Sequence, residues 1–168
     1  LQARSPNLVS IWGLIVYFPE PKLIFQRIYP LGILEKDKIV ASFSLSAGNV
    51  PSNTFLKSLN QSLNITWDNY ILLDTQAGDH FSSWAGGPAL NQGETAPDPE
   101  QALIAEAEVV RLLCEKYAAQ SPESRDSFEW IPVIPDHMQT NMPLDFGLLT
   151  ADKLNQSGTP VLCEIYND

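Results

Sequence analysis

The order of apolar runs in the chain predicts an α/β domain, a mixed β-sheet flanked by helices. Three observations carry that prediction. Runs rich in β-branched and aromatic residues open the chain, a long helical pattern occupies Pro99–Ala119, and an extended apolar run, Val161–Tyr166, closes it. Between them, helix and strand signals alternate. A chain of 168 residues with 44% hydrophobic residues can bury one substantial core, so residues 1–168 are read as a single layered domain.

The first two elements are Ile11–Phe18 and Leu23–Tyr29, joined by the turn-forming Pro19-Glu20-Pro21-Lys22. They read as a hairpin, the first run being apolar enough for a central strand. Lys38–Leu45 alternates from Val40 onward and predicts a half-exposed strand, broken by Gly48–Asn53. Ser52 or Asn53 then caps a helix to about Asn64, with Phe55, Leu56, Leu59 and Leu63 on one face. A strand over Tyr70–Asp74 follows, then a helix over Ala77–Trp84 stopped by Gly86-Gly87-Pro88.

Asn91–Pro99 is a loop by composition. Pro97 and Pro99 start the long helix, Glu100 in its first turn complements the helix dipole, and Val109, Leu112 and Leu113 supply part of a broad apolar surface. Ser121–Ser127 reads as a solvated connection and Phe128–Ile134 as a proline-broken extended stretch. Asn141 is expected to cap a last helix running to Leu154, before the final strand.

Twenty acidic against ten basic residues give a formal charge of -10. Such a chain repels phosphodiester backbones and anionic lipid surfaces, which excludes nucleic acid as a partner class and an electrostatic membrane anchor. The longest apolar stretch, Leu8–Phe18, is too short to span a bilayer, for which about 20 residues are needed. The chain begins at Leu1, so an excised fragment or mature form is expected, with any membrane anchor upstream. Cys114 and Cys163 fall on apolar faces of predicted elements and read as small core residues. A disulfide between them requires Cα atoms within about 7 Å.

Asp68, Asp74, Asp79 and His80 form the one cluster of metal-ligand residue types. They lie near a strand end, where open α/β sheets bind ligands. The competing reading is a solvated turn with a helix N-cap. His137 stands beside Asp136 and reads as a surface ion pair or a base with its orienting carboxylate. Trp12, Trp67, Trp84, Trp130, Phe81 and Phe128 either fill the core or line an apolar pocket.

Several segments together resemble the LytR-CpsA-Psr family of bacterial cell-envelope proteins. Tyr17-Phe18-Pro19-Glu20-Pro21-Lys22 and Arg27-Ile28-Tyr29-Pro30 stand where that family has its hairpin turn and a Ser-Ile-Pro-Arg-Asp motif. Ile65-Thr66-Trp67-Asp68-Asn69-Tyr70, the strand after it and the helix ending in Gly86-Gly87 match the most specific stretch. Met138-Gln139-Thr140-Asn141-Met142-Pro143-Leu144 is similar to the family's last helix entry. The resemblance runs from roughly Leu14 to Ile165.

What the resemblance implies is a domain outside the cytoplasm, in the bacterial envelope. Family members transfer polyprenyl-phosphate-linked glycopolymers to the cell wall, using arginines on the pyrophosphate, carboxylates on magnesium and an apolar pocket for the lipid. Here Leu31 and Gly32 follow Pro30 in place of the Arg-Asp pair, and Gln101 and Ala105 stand where the long helix should carry arginines. Phosphoryl transfer depends on neutralising charge, so the expectation is a non-catalytic relative without a cofactor. It would bind a lipid-linked or apolar ligand, or an envelope protein, through Arg27, Arg111, Trp67, Phe81 and Trp84. The alternatives are a phosphotransferase that uses magnesium, or a metal-dependent hydrolase built on Asp74, Asp79 and His80 with Asp68.

Overall fold

A computed structural model describes residues 8–18, 20–30, 36–46, 48–89, 99–119, 129, 131–134, 136–156 and 161–166. The opening hairpin forms as its residue types dictate. β1 (Ile11–Tyr17) pairs antiparallel with β2 (Lys22–Tyr29), and the last strand, β7 (Leu162–Tyr166), lies parallel to β2 on its other side. The three strands make a mixed sheet in the order β1-β2-β7, which places β1 at an edge rather than in the centre. Two short antiparallel ladders accompany it, β3 (Leu45–Ser46) with β4 (Val50–Pro51) and β5 (Ile71–Leu73) with β6 (Met138–Thr140).

Among the described residues the helices are α1 (Lys36–Ser42), α2 (Asn53–Leu63), α3 (Thr75–Ala85), α4 (Pro99–Ala119) and α5 (Leu144–Gln156), interspersed with these strands. The mixed α/β class expected from the sequence is therefore observed. Ser52 caps α2 by accepting from Phe55 N, and Asn64 closes it in the left-handed conformation that asparagine tolerates. Asp74 caps α3 through Gln76 N and Ala77 N, starting that helix at Thr75, two residues earlier than expected.

Three expectations are corrected. The strand expected over Lys38–Leu45 is mostly helix, because Ile39 and Phe43 lie one turn apart and share a face. Ile39 is 1% exposed, and Phe43 N donates to Ile39 O. Ile131–Ile134 is a turn, closed by His137 N donating to Val133 O, and not an extended stretch; Phe128 and Trp130 lie outside the described residues. Asn141 does not cap α5. Its Oδ1 accepts from Tyr70 N at 2.7 Å and ties the start of β5 to the end of β6.

The alternation of side chains divides the mixed sheet into two faces. One carries Val16, Leu23, Phe25 and Cys163, which gather around buried Leu23, Leu154 and Val161. The other carries Gly13 and Ile28, packed against Ile39, Phe55, Leu59 and Trp67. At Gly13 a Cβ would stand 2.9 Å from the Trp67 ring, so glycine permits this close approach of indole to strand. A third cluster, Ala77 and Val133 with Phe81, Trp84 and Met138, fastens α3 to the β5–β6 ladder.

The expected pair of small core cysteines is a disulfide. Cys114 of α4 and Cys163 of β7 are bonded, with Cα atoms 5.5 Å apart, and Cys114 is 4% exposed. The bond fixes α4 across the sheet face that also carries Leu23.

Candidate functional site

The residues expected to bind ligand fall into three places. Arg27 sits on β2 directly across from Trp12 of β1, only 7% exposed, with its guanidinium carbon 4.7 Å from the Trp12 ring centroid. Glu106 of α4 reaches the same spot, taking hydrogen bonds from Ser10 and Trp12 and facing the Arg27 charge. Burial pushes the Glu106 carboxyl above the usual range, while those hydrogen bonds and Arg27 pull the other way. The arginine is thus buried under α4, against a cation–π partner and a carboxylate.

Arg111 lies five residues further along α4 and is exposed. Its Nε donates to Glu108 Oε2 at 2.8 Å and its other nitrogens bond Glu108 and Glu115, which hold it above its ordinary pKa. It borders an open pocket of about 290 Å³ over the disulfide, lined by Arg111, Cys114, Glu115, Ala118, Cys163 and Ile165.

The aromatic candidates go elsewhere. Trp67 packs on the cluster of Ile28, Phe55 and Leu59, and Phe81 and Trp84 pack around Ala77 and Val133. Lys116 of α4 lies 4.1 Å from the centroid of the Trp84 ring and donates to its carbonyl oxygen, holding α3 to α4. These aromatics pack in the core and at helix interfaces, in two separate clusters.

The carboxylates expected near a strand end are also divided. Asp74 Oδ1 accepts from Gln76 N at 2.9 Å and Ala77 N at 3.0 Å, and Oδ2 lies 2.7 Å from His137 Nδ1. Burial raises the Asp74 pKa, but the hydrogen bonds from Ala77 and His137 outweigh it and hold the carboxyl below its usual range. His80 Nε2 lies 2.9 Å from Glu129 O, and Asp68 is exposed in the connection between α2 and β5. Among the described residues, no three His, Cys, Asp or Glu converge where a metal ion would be held.

Sequence reading placed His137 with its neighbour Asp136. Instead, the antiparallel pairing Leu73↔Met138 sets the residues flanking those strands side by side, so His137 meets Asp74 across the ladder and Asp74 N donates to His137 O. The partnership of Glu106 with Arg27 was equally invisible, since nothing in the helix pattern shows which turn of α4 crosses β2. No protein-family model matches the chain, and no curated protein matches it.

Proposed function

We propose that the chain is a non-catalytic binding domain of the LytR-CpsA-Psr type, working outside the cytoplasm in the bacterial envelope. Its partner is a lipid-linked or apolar ligand, or an envelope protein. The observation that carries the non-catalytic part is the state of the two arginines left to stand in for the family's phosphate clamp. Arg27 is buried over Trp12 beside Glu106, and Arg111 is gripped by Glu108 and Glu115. Charge already compensated by carboxylates does little for an incoming pyrophosphate. The Cys114–Cys163 bond supports the compartment, because structural disulfides persist mainly in oxidising surroundings.

The hydrolase alternative would need Asp74 as a ligand. Recruiting it would remove the α3 cap, worth about 1 kcal/mol, and separate it from His137.

The test is thermal unfolding with a polyprenyl phosphate, with and without magnesium. A ligand at a hundred times its Kd adds about 2.7 kcal/mol, which for a domain of this size is roughly 5–11 °C. The binding reading expects a shift that ignores magnesium. A shift that requires magnesium, accompanied by release of the polyprenyl phosphate from a glycan donor, would overturn it in favour of the transferase. No shift with either would reject the lipid and leave the protein partner.

A further inference from the structure

Among the described residues, the sheet face that carries Ile28 is covered at one end. There Gly13 and Ile28 meet Trp67 and the α1–α2 cluster. Toward the other end the same face carries Ile15 and Tyr17 from β1, Lys22 and Ile24 from β2, and Leu162 and Glu164 from β7, while Gln26 and Tyr166 stand level with Gly13, as the registers of the three strands require. Four of the apolar side chains are about half exposed: Ile15 at 46%, Tyr17 at 53%, Leu162 at 54% and Tyr166 at 47%. No helix among the described residues packs on this group. Across three adjacent strands, it is a contiguous apolar surface with one ion pair inside it, Lys22 Nζ to Glu164 Oε1 at 2.6 Å, to which Tyr166 Oη also donates.

We propose that this face is where two copies of the chain associate, sheet against sheet, about a two-fold axis. The Lys22–Glu164 pair, self-complementary about a two-fold axis, is the feature that points to a second copy. A chain of net charge -10 repels anionic lipid and nucleic acid. On this face, however, Lys22 and Glu164 sum to zero, with Glu20 at the turn adding one acid at the rim. It is therefore a place where two such chains meet with little repulsion. An isologous contact sets each residue against its counterpart's neighbours. Because Lys22 and Glu164 already touch, an axis passing beside them brings each lysine to the other copy's glutamate, giving two cross pairs within an apolar surround. Face-to-face packing of sheets about 10 Å apart is an ordinary way to bury such surfaces. The inference is independent of the ligand proposed above.

Sedimentation equilibrium of the whole chain, with its disulfide intact, tests it. The wild type is expected to show a monomer–dimer equilibrium in the micromolar range. Lys22→Glu and Glu164→Lys should each weaken it by at least about tenfold, since like charges then face each other. An equal mixture of the two variants should regain dimer as a heterodimer, because an acidic face then meets a basic one. Both side chains are partly exposed, so folding is expected to survive, with far-UV circular dichroism as the check. Should either variant fail to fold, Tyr17→Ser with Leu162→Ser on the apolar surround replaces it and must give monomer. A wild type that is monomeric to about 100 µM overturns the proposal. So does a dimer indifferent to these substitutions, or a mixture that fails to recover.

Discussion

Replacing both cysteines, Cys114→Ala with Cys163→Ala, removes the cross-link between α4 and β7. The two cysteines are 49 positions apart in sequence. In the chain-entropy treatment the bond reduces unfolded-state entropy by about 2.1 + 1.5R ln 49 ≈ 14 cal/mol/K, or about 4 kcal/mol at 25 °C. For a domain of this size, that corresponds to a melting temperature lower by roughly 8–16 °C. Urea unfolding of oxidised protein, reduced protein and the double variant measures the effect. Reduced wild type and double variant should agree within about 1 kcal/mol, both well below the oxidised protein. Hydrogen exchange should also show α4 losing protection before β2, because the sheet retains its ladder while the helix loses its covalent tie. A loss below about 1 kcal/mol on breaking the bond would refute the reasoning, since α4 would then be held by its other contacts alone.

Asp74→Asn keeps an oxygen that can cap α3 but removes the carboxylate charge from the helix start and from His137, and should cost about 0.3–1 kcal/mol. Because the folded Asp74 pKa is depressed, its stabilisation is present above the unfolded value and lost as pH falls through the folded one. Wild-type and variant urea curves should therefore converge toward acid. Glu106 behaves oppositely. Its raised folded pKa makes stability fall as pH rises from the unfolded value, about 4.3, through the folded one, so Glu106→Gln should flatten the urea-unfolding profile over that window. Gly13→Ala would put a Cβ 2.9 Å from the Trp67 ring and 3.3 Å from Ile28, and should cost about 1–3 kcal/mol with a change in tryptophan fluorescence. Arg111→Ala should leave both unfolding and the affinity for a polyprenyl phosphate unchanged, as read by thermal shift, because Glu108 and Glu115 already compensate its charge.

Local signals were legible wherever one element decides its own shape. Ser52, Asp74 and the Gly86-Gly87 stop fix the ends of α2 and α3 through hydrogen bonds within a few residues, and the opening hairpin follows from its turn. Lys38–Leu45 misled because Ile39, Val40 and Phe43 suit a strand by type, while the burial of Ile39 under Phe55 and Leu59 favours a helix. The long-range pairs were hidden for another reason. His137 with Asp74, Arg27 with Glu106 and Cys114 with Cys163 each join distant segments, and only the pairing of β5 with β6, or the crossing of α4 over the sheet, brings them together.

The same acidic excess links the two halves of the functional reading. In a chain with twice as many acidic as basic residues, an arginine that is not aimed at an external anion meets a carboxylate of its own chain, and both described arginines do so. Pairing of this kind serves structure. Glu106 with Arg27 holds α4 over the β1–β2 hairpin, and the disulfide holds the same helix over β7, so the helix is fastened to both edges of the sheet. A scaffold fixed in this way has no need of a phosphate to order it, unlike a clamp whose arginines repel one another until an anion arrives. On the proposed reading it would retain its shape without ligand, the property expected of a domain that works by binding.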